Sequence, residues 1–225
     1  MKQNKQNGSS ASHVWKWMLF GAALIGMPSL TSAQKVEKLF NGKNLSNWEF
    51  MVDKNSVPAE KVFYIQDGLI HISGKPFGYM YTKEKYSNFK LEVEWRWPNG
   101  VASNSGIFLL IEELKNPFPN AVECQLHAGD AGDFVLLSGS DVAEYQAPAG
   151  QPRPAFPVVK KWKESTEKPA GEWNKATIYV KNGVITVYIN GELQNIGTNK
   201  VKEGYIALQS EGNDVEFRSV VLTRL

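Results

Sequence analysis

Ile178-Tyr179-Val180-Lys181-Asn182-Gly183-Val184-Ile185-Thr186-Val187-Tyr188-Ile189 holds two runs of β-branched and aromatic residues around one dipeptide. Asn-Gly accepts the positive φ of a tight hairpin turn, so the two runs pair antiparallel. Asp67-Gly68 repeats the device between segments 61–65 and 69–73. Further runs rich in Val, Ile, Phe, Tyr and Trp lie at 89–97, 105–111, 121–127, 134–137, 175–180, 205–209 and 215–222,. No stretch carries a helical period, so no crossover helix is available to join parallel strands. The economical architecture is all-β: two antiparallel sheets packed face to face as a jelly-roll sandwich.

Alternation assigns the faces. In Leu91-Glu92-Val93-Glu94-Trp95-Arg96-Trp97 the apolar and aromatic residues share one side and Glu92, Glu94 and Arg96 the other,. Glu92 reads as part of a solvated face, whereas Arg96 stands at the strand end before Pro98-Asn99-Gly100, within reach of a ligand. In segment 121–127, Glu123, Gln125 and His127 alternate with Val122, Cys124 and Leu126. A carboxylate, an amide and an imidazole then project from one face, which is equipment for holding a hydroxylated ligand and moving a proton on it. The competing reading is an ordinary polar outer face. Cys124 points the other way, into the core.

Residues 1–33 read as a signal peptide: Lys2, Lys5 and Lys16 precede the apolar run 18–30, and Thr31-Ser32-Ala33 ends in small residues,. The run is short for a bilayer span, although a transmembrane anchor there is the alternative. The expected mature chain, 34–225, is a single domain, periplasmic or secreted, with no stable membrane insertion after cleavage. Cys124 is the only cysteine, so neither a lipid-anchor cysteine nor a disulfide is available,. The whole chain has 25 basic and 23 acidic residues. Loss of the three leader lysines leaves 22 against 23, a formal charge of −1, and nothing that argues for nucleic-acid binding,.

The stretch 144–172 is different in kind. It holds Pro148, Pro152, Pro154, Pro157 and Pro169 and the cluster Lys160-Lys161-Trp162-Lys163, and reads as a long connection. It is either a flap over the sheet with Trp162 as a sugar-stacking ring, or an exposed Pro-rich excursion. Asp130 and Asp133 supply oxygens that suit calcium, but Gly-Asp-Ala-Gly-Asp is also simply a good turn. No cofactor is expected.

Seven strings fall into one order: LFNGKNLSNW (39–48), YSNFKLEVEWR (86–96), NSGIFL (104–109), ECQL (123–126), GEWN (171–174), VYINGEL (187–193) and GYIALQ (204–209). In this they resemble the 3-keto-disaccharide hydrolase domain family. The resemblance implies a concanavalin-like jelly roll acting on glycosides whose C3 hydroxyl has been oxidised to a ketone; a pathway oxidoreductase is the candidate partner for supplying that ketone. Two positions depart from the family pattern: Leu110 stands where many members carry Arg, and Arg218-Ser219 where Arg-Asn is usual.

Conventional glycosidases flank the scissile bond with two carboxylates, and the row at Glu123 has only one. A C3 ketone changes the requirement, because it acidifies the C2 hydrogen and opens an elimination route, with or without later addition of water. Glu123 and His127 are then the candidate acid and base, in either order. Arg96 or Asn104 would steady the enolate, with Gln125, Gln209 and Trp162 binding a carbohydrate substrate. The alternative is a non-catalytic carbohydrate-binding module of the same architecture.

Overall fold

The computed structural model describes Met1 and residues 34–225; the expected signal peptide lies outside the described residues. Fifteen strands follow in chain order: β1 (Val36–Lys38), β2 (Trp48–Val52), β3 (Phe63–Gln66), β4 (Leu69–Ile72), β5 (Gly78–Thr82), β6 (Phe89–Arg96), β7 (Gly106–Glu113), β8 (Asn120–Gln125), β9 (Phe134–Leu137), β10 (Val158–Val159), β11 (Asn174–Lys181), β12 (Val184–Ile189), β13 (Glu192–Thr198), β14 (Tyr205–Ser210) and β15 (Val215–Arg224). The first sheet runs β13-β12-β11-β6-β15-β4-β3, with β1 also on β15, and the second runs β10-β9-β8-β7-β14-β5-β2. Every pairing is antiparallel. The two-sheet all-β sandwich expected from the strand pattern is the fold of this chain. No helix among the described residues is long and apolar enough to cross a membrane.

Both predicted hairpin turns form, with φ of 52° at Asp67 and 74° at Gly68, and of 52° at Asn182 and 85° at Gly183. A third, at Asn190 and Gly191, turns β12 into β13. Strands β1, β2, β5, β10 and β13 are absent from the sequence reading. Segment 121–127 extends as a strand only to Gln125.

The inward residues of both sheets form one apolar core that includes Trp95, Leu91, Ile178, Phe217, Ile107, Val122, Cys124 and Leu208. Each such side chain, fully buried, contributes on the order of 1.5–3 kcal/mol. Glu123 and Gln125 alternate with Cys124, so burial of Cys124 in this core turns both of them to the outer face of the second sheet,. A second apolar cluster, with Tyr79, Phe108, Ala121, Leu137 and Ala207, lies on that same outer face under Leu114 of the β7–β8 connection.

Candidate functional site

A hollow of about 200 Å3 opens on the outer face of the second sheet. Its polar side is Glu123 and Gln125 of β8, Gln209 of β14, Asn104 just before β7 and Glu211 just after β14. Its apolar side is Val135 and Leu137 of β9, Phe118 of the β7–β8 connection and Phe156 of the Pro-rich connection. The two rings meet edge to face with centroids 5.4 Å apart.

Pairing in the sheet brings these residues together. Cα register sets Phe108 opposite Glu123 and Gly106 opposite Gln125, and the Glu123 side chain lies back across Gly106. A Cβ at position 106 would stand 2.0 Å from Glu123 Oε1, so glycine is what makes room for the carboxyl. Ser105 Oγ donates to the Gln209 carbonyl at 2.9 Å and ties the start of β7 to β14. Gly212, at φ 77°, packs its Cα where a Cβ would come within 2.6 Å of Ser103 Oγ, which holds the Glu211 corner against the 103–104 segment.

Glu123 is 2% exposed, and its Oε1 has no hydrogen-bond partner. Burial, and then the nearby Glu211 carboxylate, push its pKa well above the usual 4.5,. Glu211 is also raised by burial, but the Gln209 and Asn104 amides and the neighbouring His127 each oppose that rise. Gln209 Nε2 donates to Glu211 Oε2 at 2.6 Å. Gln209 Oε1 and Asn104 Oδ1 are, like Glu123 Oε1, buried without partners. Three unpartnered oxygens thus belong to side chains that line one hollow, and among the described residues no Lys or Arg lines it.

Sequence reasoning and geometry part at several residues. His127 lies beyond the strand end at the rim, with its side chain 50% exposed and Nδ1 3.0 Å from Asp130 Oδ2. Gln125 lines the hollow, but its Oε1 accepts the N–H groups of Leu126 and His127 at 3.0 and 2.9 Å, leaving its amide nitrogen to donate. Arg96 is not gathered there: it belongs to β6 of the other sheet, where it donates to Glu216 at 2.5 Å and lies over the Trp173 ring. The expectation failed because a strand-end position says nothing about which sheet the strand joins. Trp162 is 59% exposed and does not line the hollow. Its backbone N–H donates to Gln194 on β13. The Pro-rich connection does reach the hollow, through Phe156 instead.

Asp133 accepts from Lys160 Nζ and the Lys161 N–H, both at 2.8 Å, and Asp130 lies 3.5 Å from Lys160 and 3.7 Å from Lys161. Those carboxylates are engaged by lysines, and among the described residues no cluster of three His, Cys, Asp or Glu is placed to hold a metal. Leu110 occupies a bulge of β7 at φ 53° and is buried in the inter-sheet core, so this position brings no charge to the hollow. Arg218 pairs with Glu94 at 2.6 Å on the first sheet.

Glu211, Phe118 and Phe156 were missed by the sequence reading. Glu211 lies two residues past Gln209 on the same alternation, a signal that the end of the predicted strand at 209 cut off,. The two phenylalanines sit in connections and carry no periodic signal.

Residues 35–223 match the family model described as a 3-keto-alpha-glucoside-1,2-lyase-like domain. A 3-keto-disaccharide hydrolase of Bacteroides thetaiotaomicron is 26% identical over 97% of this chain and 88% of its own length. Among solved structures, a candidate glycosyl hydrolase from Parabacteroides distasonis is similar with a TM-score of 0.61, at 22% identity over 84% of this chain and 94% of that one. The β-glucanase of Bacillus licheniformis has the same sandwich, with a TM-score of 0.56 at 13% identity over 87% of this chain and all of that one.

Proposed function

Since the chain belongs to the 3-keto-alpha-glucoside-1,2-lyase-like domain family, we propose that it is an exported enzyme that breaks the glycosidic bond of 3-keto-glycosides, by elimination or by net hydrolysis. One observation carries this reading: Glu123 Oε1, Asn104 Oδ1 and Gln209 Oε1 are all unpartnered among the side chains lining one hollow. Buried acceptors without donors are costly, about 1–3 kcal/mol each, so the polar side of this hollow favours a ligand that brings hydrogen-bond donors, as the hydroxyl groups of a sugar do,. The wall of Phe118, Phe156, Val135 and Leu137 suits the C–H face of the same molecule,. A sugar ring has both surfaces, and a cavity of about 200 Å3 is sized for one such ring rather than a chain,.

The reading of the chemistry follows from the state of Glu123. Burial and the nearby Glu211 carboxylate favour the protonated form of Glu123, the form that can donate a proton. A C3 ketone makes the neighbouring C2 hydrogen removable, so the glycosidic oxygen can leave with that donated proton,. An oxidoreductase that makes the ketone is the partner this substrate implies, and the expected signal peptide would deliver the enzyme to a periplasmic or external site.

A carbohydrate-binding module is the rival. A surface that only grips sugar has no use for a buried carboxyl deprived of a cation, which supports the enzyme. Incubation with 3-keto-trehalose, 3-keto-glucosides and their unoxidised counterparts, with product detection, tests the choice: cleavage of the oxidised set alone is expected, and binding without product in every case would establish the module.

A further inference from the structure

We propose that Glu211 is the base that removes the C2 hydrogen of the 3-keto sugar, and that Glu123, in the same hollow, is the acid that protonates the departing oxygen. This assignment rests on the 3-keto-glycoside reading above and divides its proton transfers between two carboxyls from different strands. It replaces the pairing of Glu123 with His127 that the sequence row suggested.

The two carboxyls line one hollow, but their surroundings differ. Glu123 is sunk between β7 and β9, where Gly106, Phe108 and Val135 are its neighbours and no donor reaches Oε1. Glu211 is only half-buried and takes a 2.6 Å hydrogen bond from Gln209, with Asn104 beside it. The titratable groups facing the pair are few: each carboxyl faces the other, and His127 faces Glu211 from the rim. Two carboxyls that line one hollow, one of them fully buried, do not both ionise readily, so a single proton is shared unequally,. It stays on the more buried one, which has no donor to stabilise a charge. The anion stays where amide donors and an imidazole lie, which leaves an acid and a base poised together.

The transfers balance without a co-reactant other than water. Glu211 takes the C2 hydrogen as the C–H electron pair forms the C2–C3 double bond of an enolate. That pair then forms a C1–C2 double bond as the C1–O bond breaks, the C3 ketone is restored, and the departing oxygen takes the proton of Glu123. For net hydrolysis Glu123, now a carboxylate, removes a proton from water as its oxygen bonds to C1, and Glu211 returns its proton to C2. Both carboxyls regain their starting states. If the unsaturated ketone instead leaves, the proton passes from Glu211 back to Glu123.

The test uses the full domain 34–225, a 3-keto-glucoside with an alkyl leaving group, and one with a nitrophenyl leaving group, in D2O with an enzyme-free control. Wild type is expected to place deuterium at C2 of the hydrolysed 3-keto sugar; where the unsaturated ketone leaves instead, the C2 hydrogen taken from the substrate is gone, and slower turnover of a C2-deuterated substrate reports the same step. Glu211→Gln is expected to lose C2 exchange and turnover by about 10²- to 10⁴-fold on both substrates. Glu123→Gln is expected to lose turnover on the alkyl glycoside but to recover most of it on the nitrophenyl one, because a nitrophenolate departs without a proton. Glu211→Asp gives the same readout from a carboxylate set back by one methylene, should the amide variant not fold.

C2 exchange and turnover within threefold of wild type in Glu211→Gln, or their loss in His127→Gln but not in Glu211→Gln, would overturn this assignment and leave the substrate reading standing. A wild type that turns over no 3-keto-glycoside would remove both.

Discussion

On the outer face of the first sheet Glu92 is held by Lys90 and Lys175, Glu94 by Arg218, and Glu216 by Arg96 with His71 3.4 Å away. On the outer face of the second sheet Glu123 has no such partner, and Glu211 accepts its hydrogen bond from the uncharged amide of Gln209. The residue types are alike and their treatment is opposite. The solvent-facing pairs of Glu92 and Glu94 contribute little each, commonly below about 1 kcal/mol, and serve solubility and strand register, whereas Glu216 is buried and depends on its partners,. A carboxyl buried without a cation destabilises the fold, and its persistence marks a place where stability is exchanged for chemistry. Abundance of charge is therefore a poor guide to the site in this sandwich, and isolation of charge is a good one.

The comparison breaks most directly at Glu123. Glu123→Gln should lower turnover of an alkyl 3-keto-glucoside by about 10²- to 10⁴-fold, measured under saturating substrate, while the equally conservative Glu94→Gln on the paired face changes it less than twofold. Gly106→Ala comes next. The new methyl group must displace the Glu123 carboxyl, so turnover should fall by at least about tenfold with near-native secondary structure by circular dichroism,.

A third experiment turns on pH. The pKa of Glu123 is higher in the folded than in the unfolded chain, so its neutral form favours folding. The relative advantage is complete below the ordinary value of 4.5 and is lost as pH rises through the folded value,. Glu123→Gln should accordingly gain melting temperature over wild type as pH increases above 4.5, by a few degrees at alkaline pH. A difference that shrinks with rising pH would contradict the burial argument.

The smallest effect on activity is expected from Arg96. Arg96→Ala leaves Glu216, 6% exposed, with His71 alone beside it, so stability should drop by about 1–3 kcal/mol in urea unfolding while turnover stays within twofold,.

Much of the frame was legible in the chain. Asp67-Gly68 and Asn182-Gly183 determine hairpins locally, and alternation around Cys124 and Trp95 separates inner from outer faces, because both depend on neighbours in sequence,. β13 was not seen, although Asn190-Gly191 is the same turn signal. Its run contains Gln194 and Asn195, whose burial comes from packing and not from hydrophobicity. The row Glu123 and Gln125 was visible as a face, and so were Asn104 and Gln209 as polar residues in recognisable strings. Alternation past Gln209 marks the face of Glu211, but that Glu211 and not Arg96 stands beside that row depends on sheet order, a long-range property. For Phe156 the long connection itself was the clue, but which aromatic ring of 144–172 reaches the hollow is decided by where the chain docks.

Two residues after Phe156 the chain becomes β10, which hydrogen-bonds the otherwise bare margin of β9. The stretch that supplies one ring of the hollow also blocks a strand from recruiting foreign chains,. Shortening or lengthening it to admit a bulkier aglycone would uncover β9, so a change in preference here is coupled to the risk of aggregation. An engineer who recuts this loop needs a replacement guard for that border, such as a lysine or proline on β9.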